Sequence, residues 1–204
     1  MKKHLFAFYA LVAVSIIGLT YFVQTYPISG FDLYMSHEIQ KQKGWDLTFI
    51  MKFISIFYNA WIGPLSVIFA SLFFYLTRHR RESFFTMAVF IPDIFNMLMK
   101  IMIHRARPTS EDVKVLSTFT QSSFPSGHVV HYVVFFGFLI AAMVVNKNIS
   151  SSWRFIVGIF SAFLILTVSI SRIYLGAHWV TDVLGGYLFC LVYLGIILKF
   201  YLNR

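Results

Sequence analysis

The sequence contains little charge and a single cysteine. Charged residues make up 12% of the 204 residues, about half of the share that a soluble domain usually carries. Cys190 stands within an apolar segment and has no second cysteine to pair with, so an intrachain disulfide and a thiolate metal cluster are both excluded. We expect Cys190 to be buried and unreactive. Repeats and low-complexity segments are absent too, and the length predicts one domain over residues 1–204.

Apolar and aromatic residues are abundant. Hydrophobic residues make up 58% of the chain, with 24 Phe and 11 Tyr, which is typical of an integral membrane protein. A net charge of +9 is compatible with binding to nucleic acid, but the basic residues fall in short clusters between apolar segments rather than in one patch. We therefore expect the membrane bilayer as the partner, and no nucleic acid. The sequence does not indicate an oligomeric state.

Six apolar segments predict an all-α fold, an integral-membrane bundle of six transmembrane helices. The segments are Leu5–Val23, Ala60–Leu76, Phe84–Met102, Val129–Val145, Phe155–Ile170 and Trp179–Leu198. The first follows a charged start as a signal peptide does, but it is long for one and lacks a small-residue cleavage site, so we interpret it as a retained helix. Residues 24–52 are more polar and predict an extramembrane loop with a short amphipathic surface helix.

The distribution of basic residues orients this bundle. With the N-terminus inside, every short inner segment is basic and only Glu82 is acidic. The inner basic residues are Lys2, Lys3, Arg78, Arg80, Arg81, Lys147, Arg154, Lys199 and Arg204. This positive-inside pattern predicts cytoplasmic termini in a multi-pass protein of the cell membrane. The outer loops are then 24–52, 103–128 and 171–178, and the basic residues that remain there need another explanation.

The first chemical pattern follows the third span. Lys100 and Arg107 are seven residues apart and precede Pro108. On a helix this spacing puts both side chains on one face, where they can converge on one anion. The alternative is that both are basic anchors reaching for lipid phosphates at a helix end, and for this pair alone that alternative is favoured.

The second pattern is Pro125-Ser126-Gly127-His128, directly before the fourth span. Ser126 is a candidate N-cap, and Gly127 allows a ligand to approach the backbone closely. The unpaired N–H groups of a helix start suit a phosphate, and His128 can donate a proton there. An ordinary helix cap followed by an interfacial histidine explains the same four residues.

The third pattern joins the fifth and sixth spans and contains Ser171, Arg172, His178 and Asp182. His178 and Asp182 are four apart, which predicts that they meet on one helix face. The carboxylate would then hold one ring nitrogen and leave the other free to attack, while Arg172 binds a phosphate. A purely structural His–Asp pair is the alternative, although charged groups near a membrane core usually serve function.

Together the three patterns resemble the type 2 phosphatidic acid phosphatase family, whose motifs K-x6-R-P, P-S-G-H and S-R-x5-H-x3-D match here in order and spacing. The resemblance implies that His178 is a nucleophile forming a phosphohistidine, that Asp182 orients it, and that His128 protonates the leaving group and later activates water. It implies that five residues hold the phosphate: Lys100, Arg107, Ser126, Gly127 and Arg172. It also implies an outward-facing site with no metal and no cofactor.

Within this family the compact six-span form resembles bacterial phosphatidylglycerophosphate phosphatases of the B type, which favours phosphatidylglycerophosphate as the phosphorylated lipid, with phosphatidic acid as a further substrate. It also resembles undecaprenyl diphosphate phosphatases, which recycle the cell-wall carrier. The vanadium haloperoxidases share the anion site but are soluble. A lipid-phosphate transporter is the non-enzymatic alternative, and it would need the cations without the histidine pair.

Other polar residues near the motifs are not assigned to the site. Asp93 and Asn96 share a helix face with Lys100, so they either support it or bond to a neighbouring helix. His104, Arg105 and His131 are left outside the predicted site.

Overall fold

The computed structural model describes residues 2–42 and 44–203. Within these ranges all regular structure is helical, as predicted. The helices are α1 (Lys2–Thr25), α2 (Gly30–Gln40), α3 (Trp45–Ile54), α4 (Ile62–Leu76), α5 (Arg80–Met87), α6 (Phe90–Ile103), α7 (Gly127–Val145), α8 (Ser151–Tyr174) and α9 (Val180–Leu202), with a 3-10 turn at Ile56–Tyr58. Arg204, which the charge pattern assigns to the inner side, lies outside the described residues.

Five helical segments are long and apolar enough to cross a membrane. They are Lys3–Thr25, Arg80–Ile103, Gly127–Val145, Ser151–Tyr174 and Val180–Leu202. The second of them contains both α5 and α6, which meet at a turn over residues 88–89. Five of the six predicted spans are supported in this way. α4 has only 15 residues, about 22 Å of helix, and its crossing stays a prediction.

α7 is the central helix of the bundle, since 61% of its span is buried. It packs mainly against α8 and α9, and also against α5 and α6. Its uncharged sequence explains this position, because a helix that is apolar on all sides can be surrounded by other helices. α1 is peripheral, with 11% of its span buried, and it contacts α9.

α2 is the short helix predicted in the first outer loop, but one of its faces belongs to the protein interior. It packs against α8 and α9 and buries Asp32 and Ser36. Ser29 caps its first turn by accepting a hydrogen bond from the Asp32 N–H at 3.1 Å. α2 therefore covers the end of the bundle at which α6 ends and α7 and α9 begin.

Candidate active site

A cavity of about 880 Å³ opens at this end of the bundle. Five of the eight predicted site residues line it, namely Lys100, Arg107, Gly127, His128 and His178. The other three, Ser126, Arg172 and Asp182, are buried beside it with at most 1% of their surface exposed. The three sequence motifs therefore converge on one cavity, although their residues are separated by up to 82 positions along the chain, from Lys100 to Asp182.

The prediction that one helix carries both Lys100 and Arg107 is wrong. α6 ends at Ile103, because His104 adopts a left-handed conformation with φ of 51°, a common way for helices to end. The chain then turns back over the bundle end. Arg107 reaches the cavity from this loop, where its Nε donates to the Gln121 carbonyl and its Nη1 to the Ala177 carbonyl, both at 2.6 Å.

Lys100 is held by the same loop system. Its ammonium group donates to the carbonyls of Ser122 and Ser123 at 2.6 and 3.2 Å. The segment 121–123 therefore links the two cations of the first motif through its backbone. These hydrogen bonds bring Lys100 and Arg107 together, although Arg107 lies beyond the end of α6 and the two residues do not share a helix.

Ser126 occupies the N-cap position of α7, as predicted, but its side chain makes no capping bond. Its Oγ is buried without a hydrogen-bond partner in residues 2–42 and 44–203. Its backbone N–H donates to the Asp182 carbonyl oxygen at 3.0 Å, which ties the start of α7 to α9. At Gly127 an added Cβ would lie 3.0 Å from the hydroxyl of Tyr58 and from the amide nitrogen of Asn96, so any larger residue would force these side chains to shift.

His178 and Asp182 meet, but not on a helix face as predicted. His178 precedes α9, which begins at Val180, and its Nδ1 lies 3.4 Å from Oδ2 of Asp182. Asp182 turns back because its Oδ2 accepts the N–H of the N-cap residue Trp179 at 2.8 Å, a carboxylate position typical of the first turn of a helix. The pair therefore results from helix capping rather than helical periodicity.

The two ring nitrogens of His178 face different partners. Nδ1 faces Asp182 and the hydroxyl of Ser123, which itself donates to Oδ2 of Asp182. Nε2 faces the guanidinium of Arg107 at 3.4 Å. A proton on Nδ1 fits both contacts, because Nδ1–H can then donate to the carboxylate while Nε2 keeps its lone pair.

Burial and positive charge both favour a neutral imidazole at His178. Desolvation is the largest cause, and the cations of Arg107, Lys100 and Arg172 act in the same direction, so the pKa of His178 lies well below its ordinary value. Burial also lowers the pKa of Arg107, to about 10, which leaves the guanidinium charged at neutral pH. The site thus combines a neutral histidine with positively charged neighbours.

Phe119 separates two of these cations. The guanidinium carbon of Arg107 lies 4.8 Å from the centre of the Phe119 ring, and that of Arg172 lies 5.0 Å from it. Arg172 donates through Nη1 to Ser55 Oγ at 3.1 Å, whereas its Nε and Nη2 are buried and have no acceptor in the described part of the chain. The unpaired donors of a buried guanidinium are suited to phosphate oxygens.

Several residues of the site were missed by sequence reasoning. Arg105 is 4% exposed and donates to both Asp32 and Asp182. Ser123 donates to Asp182, and the ring of Phe119 lies against Arg107 and Arg172. No local pattern marks them, since their partners are distant in sequence. Of the two interpretations left open for Asp93, the structure favours the helix–helix bond: Asp93 lies 2.8 Å from His131 Nδ1 on α7.

Comparison with known sequences relates the chain to lipid phosphatases. Residues 83–204 match the PAP2 superfamily. The chain is 34% identical over 131 residues to the phosphatidylglycerophosphatase B of Bacillus subtilis (strain 168), an alignment that covers 63% of this chain and 62% of that protein. The match thus spans less than two thirds of the relative's length.

Comparison with solved structures extends the likeness to most of the chain. The crystal structure of a transmembrane PAP2-type phosphatidylglycerolphosphate phosphatase from Bacillus subtilis aligns over 94% of both chains, with a TM-score of 0.79 and 26% identity. The crystal structure of Aquifex aeolicus LpxE aligns over 82% of this chain and 94% of that one, with a TM-score of 0.58 and 23% identity. The second likeness concerns the fold alone.

Proposed function

The chain is a multi-pass membrane protein that belongs to the PAP2 superfamily, and on this basis we propose that it hydrolyses the phosphate monoester of phosphatidylglycerophosphate through a phosphohistidine at His178. The observation that carries the proposal is the arrangement of His178, whose Nδ1 faces a carboxylate while Nε2 faces a cationic cavity. A nucleophile held by one partner and open to the substrate on its other side is the general form of covalent catalysis.

The reaction uses two histidines. His178 Nε2 attacks phosphorus, the bond from phosphorus to the lipid oxygen breaks, and His128 gives its proton to the leaving oxygen. Water then attacks the phosphohistidine and transfers a proton to His128, the P–N bond breaks, and inorganic phosphate leaves. Asp182 holds the Nδ1 proton of His178 throughout.

Binding of the phosphate falls to the cations and to the start of α7. Lys100, Arg107 and Arg172 neutralise the phosphoryl oxygens, and Ser126 and the Gly127 N–H donate from the helix start. Phosphoryl transfer gains most from such prearranged charge. Support comes from the two donors of Arg172 and the Oγ of Ser126, which have no protein partner among the residues described.

The substrate assignment depends on the named relatives. Phosphatidylglycerophosphate is the lipid in the names of the Bacillus subtilis protein and of the crystal structure. Phosphatidic acid carries the same monoester and is a candidate second substrate. Undecaprenyl diphosphate is the alternative that the shared fold allows, and a lipid-phosphate transporter is the non-enzymatic alternative. The histidine pair favours an enzyme over a transporter, because binding alone does not need it.

The topology belongs to the same proposal. Arg105 at the site end donates to the Pro27 carbonyl just after α1, whereas Arg81 near the start of α5 donates to carbonyls at the end of α9, at the opposite end. The segment from 28 to 80 must therefore traverse the bundle, and α4 is its longest apolar helix. Together with the positive-inside pattern, this supports a sixth crossing, cytoplasmic termini and an extracytoplasmic site.

The decisive experiment measures phosphate release by the purified protein in mixed micelles containing EDTA, with phosphatidylglycerophosphate, phosphatidic acid and undecaprenyl diphosphate compared. We expect the first lipid to be hydrolysed fastest.

His178→Ala should abolish phosphate release while the protein stays folded. The matched control is His4→Ala, which changes an exposed histidine on α1. If His178→Ala still released phosphate, the assignment of His178 as the nucleophile would be refuted. If EDTA abolished phosphate release by the wild type and a divalent ion restored it, a metal-free mechanism would be refuted. Preference for the diphosphate would favour carrier recycling, and no release from any lipid would favour a transporter.

A further inference from the structure

Arg105 makes a buried bridge between two carboxylates. Its Nη1 donates to Oδ1 of Asp182 at 2.6 Å, and its Nη2 donates to Oδ2 of Asp32 at 2.8 Å. The Nε donates to the Pro27 carbonyl at 3.0 Å. The side chain of Arg105 is 1% exposed and those of Asp32 and Asp182 are fully buried. The planar guanidinium thereby fixes the position of both carboxylates at once.

Asp32 also accepts hydrogen bonds from residues other than Arg105. Its Oδ1 accepts from the N–H and the hydroxyl of Thr181, each at 2.9 Å, and its Oδ2 accepts from Ser29 Oγ at 2.8 Å. Thr181 is the residue before Asp182 on α9. The carboxylate of α2 is therefore bonded to the backbone and the side chain that immediately precede Asp182.

The two carboxylate oxygens of Asp182 connect this network to the proposed nucleophile. Oδ1 accepts a hydrogen bond from Arg105. Oδ2 faces Nδ1 of His178 and accepts hydrogen bonds from Ser123 and from the Trp179 N–H. A continuous series of contacts thus runs from Asp32 through Arg105 and Asp182 to His178. We propose that the Asp32–Arg105 pair is a positioning device that fixes the carboxylate of Asp182 and, through it, the imidazole of His178.

This inference rests on the proposed function and extends it to the N-terminal part of the chain. The superfamily match begins at residue 83, so α2 lies outside it. A buried carboxylate with four protein donors is costly to maintain unless all its partners are in place. In this chain α2 is thus part of the catalytic unit, in addition to covering the end of the bundle.

The opposite charges of Asp32 and Arg105 predict opposite effects on the pKa of His178. Asp182 faces His178 from α9. The other charged or titratable neighbours of His178 are Lys100 of α6, Arg107 of the following loop, His128 of α7 and Arg172 of α8. Arg105→Gln removes a positive charge behind Asp182, so the pKa of His178 should rise. Asp32→Asn removes a negative charge, so the pKa of His178 should fall.

The test compares Asp32→Asn, Arg105→Gln, the double variant and Arg105→Lys with the wild type. We expect kcat to fall by about 100-fold in each of the first two variants, with KM changed little, because the phosphate-binding cations are untouched and only the nucleophile is misplaced. The acidic limb of kcat/KM should move to higher pH in Arg105→Gln and to lower pH in Asp32→Asn, each by about half a unit or more. The two shifts should cancel in the double variant, and Arg105→Lys should restore the wild-type limb.

A second readout does not depend on turnover. Nitrogen-labelled histidine NMR of the protein in micelles, with the His178 signal assigned from its absence in His178→Ala, follows the same pKa shifts directly. Glu38→Gln, on the same helix but in an exposed pair with Lys41, is the control and should change neither readout. If the folded variants changed neither the pH profile of kcat/KM nor the NMR titration of His178, the positioning role of Asp32 and Arg105 would be overturned. If the NMR titration shifted in a protein that releases no phosphate, the positioning role would be supported and the proposed phosphatase function would be contradicted.

Discussion

At the scale of single residues, the site contains more positive charge than the protein itself neutralises. Lys100, Arg107 and Arg172 surround His178, whereas Asp182 is the one carboxylate in contact with its ring among the residues described. Such a site is best stabilised by an anion, and the cations repel one another without it. Phe119 reduces that repulsion by presenting its ring faces to two guanidinium groups.

Phe119 therefore offers a prediction about substrate binding. Phe119→Leu keeps an apolar side chain but removes the ring quadrupole, which contributes roughly 0.5–2 kcal/mol for each cation. We expect KM to rise about 3- to 10-fold with kcat nearly unchanged, since the nucleophile and the acid are not altered. Steady-state phosphate release measures both constants.

A matched variant is Phe69→Leu on α4, because Phe69 is 73% exposed and does not line the cavity. It should leave KM at the wild-type value. An equal rise in both variants, or a loss of kcat alone in Phe119→Leu, would contradict the role of the ring.

At the scale of elements, the turn between α8 and α9 decides where His178 stands. Gly176 has a φ of +64°, and an added Cβ would overlap the carbonyl oxygen of Lys114. The Leu116 N–H donates to the Leu175 carbonyl at 2.9 Å, so this turn also anchors the long loop before α7. Both the left-handed conformation and the close approach of the loop require glycine here.

Gly176→Ala should therefore damage both stability and turnover. The strain of a left-handed alanine is of order 1–3 kcal/mol, and the displaced loop adds to it, so we expect the thermal midpoint to fall by roughly 5 °C and kcat to fall as His178 moves. Thermal unfolding in detergent and phosphate release measure the two effects. Gly158→Ala, within α8, should be neutral or slightly stabilising, because no atom lies within 4 Å of an added Cβ there. A variant at Gly176 with wild-type stability and kcat would show that the turn tolerates a side chain.

At the scale of the whole molecule, the two ends of the bundle differ in chemistry. One end holds the cavity with its histidines and buried ion pairs. At the other end Arg81 donates to the carbonyls of Phe200, Tyr201 and Asn203. The basic residue Arg78 precedes α5, and Arg80 is its first residue. The positive-inside pattern assigns the second end to the cytoplasm.

Cysteine labelling tests this orientation in cells, because the native Cys190 is 1% exposed and should not react. We expect Gln42→Cys, in the exposed segment just after α2, to react with a membrane-impermeant maleimide in intact cells. Asn148→Cys, in the exposed loop between α7 and α8, should react only after permeabilisation. The reverse pattern would invert the topology and put the cavity on the cytoplasmic side.

The sequence by itself determined the helical class, five spans and the residues of the three motifs. Hydrocarbon forces the backbone to satisfy its hydrogen bonds within helices, so long apolar segments predict spans directly. The motif residues Lys100, His128 and His178 are recognisable because their spacing along the chain is fixed. Conversely, the sequence does not decide whether α4, with 15 residues, crosses the membrane.

Only the tertiary structure decided how these residues meet. Helical periodicity predicts neighbours within one helix, but α6 ends at His104 and His178 precedes α9, so loops and a helix cap bring the side chains together. Arg105 finds Asp32 across 73 residues and Asp182 across 77. A charge at such a position is indistinguishable in sequence from an interfacial anchor, because its burial and its partners depend on the packing of distant helices.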